Sequence, residues 1–271
     1  MSEGRGTDGA IAMFAQSLRS GTKPGECGFF FDFDGTLAPI QTDPETVQPV
    51  PGIATRLKEL AGLAGLVALV SARPASFLTS RFESIDNIHY FGLYGVETAS
   101  GSSDIHSHPV AEAYSDLIAR VADRAEHELP PGINVERKRV TVALHFRANP
   151  HLEGEAEAWA ERAATEHGLN VQAGRMVFEL KPPGTPTKGT VVERIASGLR
   201  FVWCFGDDVG DIAAFESLAR LRQAVPGLSA VLVAVHNPES GTELASLADV
   251  LLPAPSDVPG LLDRILDTLR G

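Results

Sequence analysis

Short apolar runs alternate with stretches of helical spacing along most of the chain. Five runs have the length and composition of buried β-strands, and they cover residues 28–33, 66–70, 89–94, 201–206 and 230–235. Apolar residues at helical spacing predict helices over residues 11–18, 53–63, 75–82, 189–197, 212–218 and 258–269. Strands that alternate with helices form parallel sheets covered on both faces. The pattern therefore predicts an α/β fold built on a parallel sheet.

The middle of the chain follows a different order of elements. It reads as a helix, a strand or hairpin, a second helix and two strands about a glycine turn, over residues 112–129, 134–146, 153–167 and 171–180. This order is typical of an α+β unit. We therefore expect residues 103–182 to form an inserted α+β domain within a core made of residues 1–102 and 183–271. The first 24 residues are expected to form a polar arm with a short helix.

Two carboxylates stand at the end of the first predicted strand, in the run Phe29-Phe30-Phe31-Asp32-Phe33-Asp34-Gly35-Thr36-Leu37. Side chains two apart on a strand share a face, so Asp32 and Asp34 lie together. Ionised carboxylates are rarely buried without a partner. The pair predicts a bound cation or acid–base chemistry. On these residues alone, a strand ending in an Asx-type turn is an equal alternative.

Composition narrows the classes of partner. A net charge of −12 over 271 residues disfavours nucleic acid and anionic membranes as partners. It does not exclude an anionic substrate, because a metal and a local basic cluster can reverse the field in one cleft. No apolar stretch approaches the roughly 20 residues that span a bilayer, and the N-terminus lacks an apolar signal core. We expect a cytoplasmic protein and a monomer.

The two cysteines, Cys27 and Cys204, lie in or beside predicted core strands. Two cysteines at such positions do not form a disulfide framework. They are expected to be small buried apolar residues rather than metal ligands or redox groups.

Four separated segments place polar residues at strand ends or before a helix. They are Asp32-x-Asp34-Gly35-Thr36-Leu37, Val67-Ala68-Leu69-Val70-Ser71, Pro186-Thr187-Lys188-Gly189 and Phe205-Gly206-Asp207-Asp208-Val209-Gly210-Asp211. In this order they resemble the four motifs of the haloacid dehalogenase superfamily of phosphatases. The resemblance spans most of the chain. It implies a Rossmann-like parallel-sheet core with a cap domain inserted between the second and third motifs.

The resemblance also implies catalytic roles. Asp32 would attack phosphorus and form an aspartyl-phosphate. Asp34 would act as the general acid and then as the general base, which requires a raised pKa at the start of the cycle. Ser71 and Lys188 would hold the oxygens of the transferring phosphoryl group.

A metal site is implied by the same motifs. Mg²⁺ would take one oxygen from Asp32, the backbone carbonyl of Asp34 and one oxygen from Asp207, a hard donor set that suits magnesium over zinc. Asp208 and Asp211 would orient metal-bound water. For Asp208, a carboxylate at a helix N-terminus is an equally good interpretation.

Segments of the predicted inserted domain and of the second motif indicate one family within this superfamily. The segments Glu136-x-Lys138, Ala143-Leu144-His145-Phe146-Arg147 and Gly174–Pro182, together with Ser71-Ala72-Arg73-Pro74, resemble trehalose-6-phosphate phosphatases. By this resemblance Arg73 binds substrate, and four residues contact the distal glucose, namely Glu136, Lys138, His145 and Glu179. Without it, a charged strand edge and a core histidine remain the better interpretations.

Three departures from that family bear on the substrate. Val209-Gly210 replaces a threonine-containing stretch, Ala72 replaces a glycine, and Leu93-Tyr94 stands where the family carries histidine. We therefore keep three hypotheses: a Mg²⁺-dependent phosphatase of trehalose 6-phosphate, a phosphatase of a related sugar or pseudo-disaccharide phosphate, and a catalytically silent sugar-phosphate sensor. Each takes a small sugar phosphate as its ligand.

Overall fold

A computed structural model describes residues 6–41, 43–83, 85–174, 176–237 and 242–271. The first residues of the expected polar arm and Arg175 of the Gly174–Pro182 segment lie outside the described residues. The chain divides into two compact units, of which the first combines Met1–His106 with Pro186–Gly271 and the second is Ser107–Thr185. The boundaries expected from sequence, 102/103 and 182/183, differ from these by three to four residues.

The helices and strands follow the predicted order with several additions. Up to the inserted unit they are α1 Thr7–Arg19, β1 Cys27–Phe31, α2 Ile53–Leu63, β2 Leu66–Val70, α3 Ala75–Arg81, β3 Ile88–Gly92, β4 Glu97–Ser100 and β5 His106–Ser107. The inserted unit contains α4 Pro109–Glu128, β6 Asn134–Arg137, β7 Val142–His145, α5 Glu153–His167, β8 Asn170–Gly174 and β9 Val177–Lys181. The remaining elements are α6 Lys188–Ala196, β10 Phe201–Gly206, α7 Val209–Ala224, β11 Ser229–Val235, α8 Glu243–Leu247, β12 Val250–Leu252 and α9 Val258–Arg270.

An eight-stranded sheet forms the centre of the first unit. Its strand order is β12-β11-β10-β1-β2-β3-β4-β5. The strands from β12 to β3 are parallel, whereas β4 runs antiparallel to β3. Because parallel strands end at the same edge of a sheet, the loops after β1, β2, β10 and β11 lie side by side. This edge carries the first, second and fourth motifs.

The phenylalanine run of β1 explains how helices cover both faces. Phe29 and Phe31 pack into an apolar cluster with α1, α2 and α9, while Phe30 packs into a second cluster with α6 and α7. Successive side chains of a strand point to opposite faces, so a continuous apolar run suits a strand buried on both sides. Cys27 and Cys204 are both free and buried, one in each cluster.

The second unit is an antiparallel sheet with two helices. Its strand order is β6-β7-β9-β8, and each neighbouring pair is antiparallel. A separate apolar core, which includes Ile118 of α4, Trp159 of α5 and Phe178 of β9, holds this unit together. The expected α+β composition of this part of the chain is therefore observed.

Some elements differ from the sequence-based expectation. The third predicted strand ends at Gly92, because Leu93 and Tyr94 have positive φ values of 48° and 60°, which no strand accommodates. Helix α7 begins at Val209 rather than at Ile212. The antiparallel strand β4 and the short edge strand β12 carry too few alternating residues to be predicted. No helix in the described part of the chain has the length and apolar character needed to cross a bilayer.

Candidate active site

Four charged residues meet at the carboxyl edge of the large sheet. Asp32 directly follows β1, Asp207 follows β10, Lys188 opens α6 and Asp211 lies in the first turn of α7. The backbone N–H of Asp32 donates to the carbonyl of Phe205 at 3.0 Å, which extends the pairing of β1 with β10 by one residue. All four side chains are buried, with 2–6% of their surface exposed. Ionisable groups are buried to this degree only when they are paired or neutralised.

Lys188 connects two of these carboxylates. Its Nζ lies 2.6 Å from Asp32 Oδ1 and 2.7 Å from Asp211 Oδ1. Burial by itself lowers the pKa of a lysine, but the Asp211 and Asp32 carboxylates outweigh it and raise the pKa of Lys188 well above its usual value. The ammonium therefore stays charged and fixes one oxygen of Asp32.

Asp211 also organises the loop after β10. Its Oδ2 accepts hydrogen bonds from the backbone N–H groups of Asp207 at 3.1 Å and Asp208 at 3.3 Å. Gly206 makes room for this contact, since a Cβ there would lie 2.4 Å from the Asp211 carboxyl carbon. Both oxygens of Asp211 thus have protein partners. The water-orienting role expected for it stays a prediction.

Two side chains that are far apart in sequence hold the carboxylate of Asp207. Thr36 Oγ1 donates to its Oδ1 at 3.3 Å, and Asn237 Nδ2 donates to its Oδ2 at 2.6 Å. Gly35 has a φ of +79°, and a Cβ there would lie 2.0 Å from Asp207 Oδ2. Asn237 is not among the predicted site residues. It follows β11 at the same sheet edge, and that position is the sequence signal that could have identified it.

The carboxylates of this cluster fit a divalent cation. Asp32, Asp207 and Asp211 each offer one oxygen, and these oxygens lie within 4.8 Å of one another. Burial, reinforced by Asp208 and Asp211, raises the pKa of Asp207 to about 8. Burial also raises the pKa of Asp32 well above its usual value, with Asp207 adding to the shift and Lys188 opposing it. Three buried carboxylates beside one ammonium leave excess negative charge, and hard oxygen donors are the ligands of Mg²⁺ and Ca²⁺.

Asp34, Ser71 and Arg73 form a second group at this edge. Arg73 donates to both carboxylate oxygens of Asp34, from Nε at 2.7 Å and from a terminal nitrogen at 2.8 Å. The backbone N–H of Arg73 donates to Ser71 Oγ at 3.2 Å. Ser71 is buried at the end of β2, as expected. Arg73, which is expected to bind substrate, contacts the predicted general acid in this structure, and its role in substrate binding stays a prediction.

Two of the three departures from the family pattern, at Ala72 and at Val209-Gly210, have no positive φ. Asp208 caps α7, with its Oδ1 accepting the N–H of Gly210 at 2.8 Å, which matches the helix-terminus interpretation of this residue. Val209 and Gly210 form the first turn of that helix. Ala72 is not among the described residues with positive φ, so its Cβ introduces no strain of the kind that glycine would relieve.

The inserted unit brings together the four residues expected to contact sugar. Buried Glu179 Oε1 accepts hydrogen bonds from Thr141 Oγ1 at 2.6 Å and Lys138 Nζ at 3.1 Å. Lys138 Nζ lies 3.8 Å from Glu136 Oε2, and that oxygen lies 2.8 Å from His145 Nε2. The exposed fraction of the side chain rises from 7% for Glu179 to 48% for Glu136. Thr141, directly before β7, was not predicted, because a threonine in a stretch of strand-like alternation carries no specific signal.

Comparison with known proteins decides the family. The family model described as trehalose-phosphatase matches residues 30–249, which is most of the chain and includes all four motifs. The chain belongs to the trehalose-phosphatase family. This membership confirms the resemblance to trehalose-6-phosphate phosphatases that the motifs indicated.

Individual members of the family show the extent of the similarity. A trehalose-phosphate phosphatase from Mycobacterium avium (strain 104) is 33% identical over 251 residues, which cover 89% of this chain and 62% of that protein. The chain thus spans less than two thirds of the length of this relative.

Solved structures support the fold. The C-terminal domain of Candida albicans trehalose-6-phosphate phosphatase aligns with a TM-score of 0.72 at 22% identity, over 96% of each chain. A phosphatase of the haloalkanoate (HAD) enzyme superfamily from Bacteroides thetaiotaomicron aligns with a TM-score of 0.56 at 17% identity, over 91% of this chain and 95% of that one. The predicted α/β fold with an inserted α+β domain is confirmed.

Proposed function

We propose that this trehalose-phosphatase family member is a Mg²⁺-dependent phosphomonoester hydrolase that converts trehalose 6-phosphate to trehalose and phosphate. The contact of Lys188 with Asp32, beside the carboxylate of Asp207, carries the proposal. It places a fixed carboxylate oxygen, a cation and a divalent-metal donor set within one buried cluster. Family membership supports the substrate class.

The first half of the reaction forms an aspartyl-phosphate. An Asp32 oxygen attacks phosphorus while the bond from phosphorus to the sugar oxygen breaks, and Asp34 gives its proton to that leaving oxygen. Lys188 holds Asp32 and, with the Ser71 hydroxyl, offers donors to the phosphoryl oxygens. Bound among the oxygens of Asp32 and Asp207 and the backbone carbonyl of Asp34, Mg²⁺ would offset the negative charge of the phosphate.

The second half regenerates the enzyme. Water attacks phosphorus, Asp34 takes a proton from that water, and the bond from phosphorus to the Asp32 oxygen breaks. Asp32 leaves as a carboxylate and phosphate departs. Asp208 is the N-cap of α7 in this scheme, and Asp211 anchors Lys188 and the loop after β10.

The polar cluster of the inserted unit is proposed to recognise the sugar. Glu136, Lys138, His145 and Glu179 offer both donors and acceptors, which hydroxyl groups require. The side chains of Glu136 and His145 are exposed and accessible to a ligand, whereas the buried Glu179 carboxylate holds the Lys138 ammonium in place. We propose that this cluster contacts the distal glucose.

A related sugar phosphate is a second candidate substrate. Leu93 and Tyr94 hold a backbone with positive φ, and their N–H groups donate to the carbonyls of Arg73 and Ser71. This segment therefore lies beside the candidate active site, and Tyr94 stands at the position where the family pattern has histidine. Tyrosine in place of histidine favours a substrate that differs from trehalose 6-phosphate near the phosphate, such as a pseudo-disaccharide phosphate.

Release of inorganic phosphate tests the proposal. The wild-type chain should release phosphate from trehalose 6-phosphate with Mg²⁺ and lose this activity in EDTA. Asp32→Asn should remove turnover, whereas Asp116→Asn, at an exposed position of α4, should leave it unchanged. Turnover that survives Asp32→Asn would contradict the nucleophile. A sugar phosphate with kcat/KM about tenfold above that of trehalose 6-phosphate, or 1.4 kcal/mol, would favour the second candidate. Tight sugar-phosphate binding without turnover would indicate a sensor.

A further inference from the structure

The guanidinium of Arg73 and the carboxylate of Asp34 form a bidentate ion pair. Two parallel hydrogen bonds of 2.7 and 2.8 Å join them, and the exposed fractions of the two side chains are 18% and 31%. Fork-to-fork pairing of this kind fixes the orientation of both planes as well as their distance. The direction in which Asp34 presents its oxygens is therefore set by Arg73.

Arg73 is itself held in place at both ends. Its backbone N–H donates to Ser71 Oγ, and its carbonyl accepts the N–H of Leu93. Its guanidinium lies 4.6 Å from the centre of the Phe77 ring, which packs edge-on against Phe33 at 5.7 Å. Stacking on an aromatic ring restricts a guanidinium without using its hydrogen-bond donors. A side chain held this way can transmit a fixed geometry to Asp34.

We propose that Arg73 is a positioning residue for acid–base catalysis, which acts on the reaction through Asp34. The inference rests on the proposed function. Through the two parallel hydrogen bonds, Arg73 fixes the direction in which the Asp34 carboxyl faces the leaving oxygen in the first half of the reaction and the attacking water in the second. This role differs from direct substrate binding, which the sequence pattern implied for Arg73.

Leaving-group chemistry separates these roles. A sugar alkoxide is strongly basic and needs a proton as it departs, whereas p-nitrophenolate is weakly basic and departs without one. With p-nitrophenyl phosphate, kcat/KM reports the formation of the aspartyl-phosphate, which then needs no acid. Hydrolysis of that intermediate still needs Asp34 as the base. Loss of Arg73 should therefore slow the second step for both substrates and the first step only for the sugar phosphate.

The experiment compares Arg73→Ala with wild type on both substrates. For trehalose 6-phosphate, kcat/KM should fall by about 10- to 100-fold, which is less than most of the ~10²–10⁴-fold contribution of acid–base catalysis because Asp34 itself remains. For p-nitrophenyl phosphate, kcat/KM should change by less than about threefold, while kcat falls by about tenfold or more. A rapid-mixing trace should then show a burst of nitrophenolate close to the enzyme concentration. Added guanidinium chloride at millimolar concentration should restore part of kcat.

Arg81→Ala is a matched control, because Arg81 lies on helix α3, which also carries Phe77. The Arg81 guanidinium lies 4.3 Å from the same Phe77 ring but donates to the backbone carbonyls of Glu45 and Val47 instead of to Asp34. This variant should keep wild-type kinetics on both substrates. If it loses kcat as Arg73→Ala does, the effect belongs to helix packing and the inference is wrong.

Other outcomes also separate the inference from its alternatives. An equal fall of kcat/KM for both substrates would mean that Arg73 binds the shared phosphate or supports the fold. A fall confined to kcat/KM for the sugar phosphate, with kcat for p-nitrophenyl phosphate unchanged, would mean that Arg73 contacts sugar. Either result overturns the inference while wild-type turnover leaves the proposed function standing. A wild-type chain that hydrolyses neither ester would overturn both.

Discussion

Removal of the Lys188 ammonium tests how the negative charge of the buried carboxylates is compensated. Lys188→Met keeps the length and apolar character of the stem but removes the charge between Asp32 and Asp211. At 2.6–2.7 Å, each ion pair has a gross Coulomb attraction of about 6 kcal/mol at an effective dielectric constant of ~20. Much of that attraction offsets the cost of burying the charges. Breaking a buried pair by removing one partner costs about 3–5 kcal/mol, and we expect a loss of this size in the free energy of unfolding at high pH.

The loss should depend on pH in a definite direction. Burial raises the pKa of Asp32, Asp207 and Asp211 in the folded chain, that of Asp207 to about 8. The folded chain thus binds more protons than the unfolded chain between pH ~4 and pH ~8, and its stability falls as the pH rises through this window. A buried carboxylate that loses the ammonium can take up a proton at low pH, because burial raises the pKa of Asp32 and Asp211, so Lys188→Met should cost less free energy of unfolding at pH 5 than at pH 8.5.

Urea unfolding of metal-free protein, followed by circular dichroism in EDTA, measures this difference at pH 5 and pH 8.5. Lys58→Met, at an exposed position of α2, is the control and should change the free energy of unfolding by less than about 0.5 kcal/mol at either pH. An equal loss at both pH values, or a loss under about 1 kcal/mol at pH 8.5, would refute the charge-balance reasoning.

Two further substitutions probe the support of Asp207. Gly35→Ala should destabilise the chain by more than about 1 kcal/mol in urea unfolding, because of the left-handed backbone and the close approach of the new Cβ to Asp207. Gly62→Ala, in helix α2 with open space around it, should instead be neutral or stabilising. Asn237→Ala should weaken Mg²⁺ binding in calorimetry by about 10- to 100-fold through the lost hydrogen bond to Asp207, and unchanged affinity would remove Asn237 from the site.

Local pattern alone determined the fold class and the outline of the site. The apolar run from Phe29 to Phe33 identifies a strand buried on both faces, because burial follows the twofold periodicity of the backbone. Helices α2 and α5 were predicted with the bounds that the structure shows. The motif order placed Asp32, Ser71 and Asp207 at one sheet edge, since parallel strands end together.

Tertiary structure decided which of these groups touch. Lys188 and Asp32 are 156 positions apart in sequence, and their contact depends on the strand order of the sheet. The pairing of Arg73 with Asp34, the hydrogen bond from Asn237 to Asp207 and that from Thr141 to Glu179 leave no periodic signal. Periodicity reports which face of an element is buried, whereas a contact between two loops depends on how whole elements pack. For this reason the sequence determined the list of reactive groups, and only the packing of helices, strands and loops within each unit determined their partners.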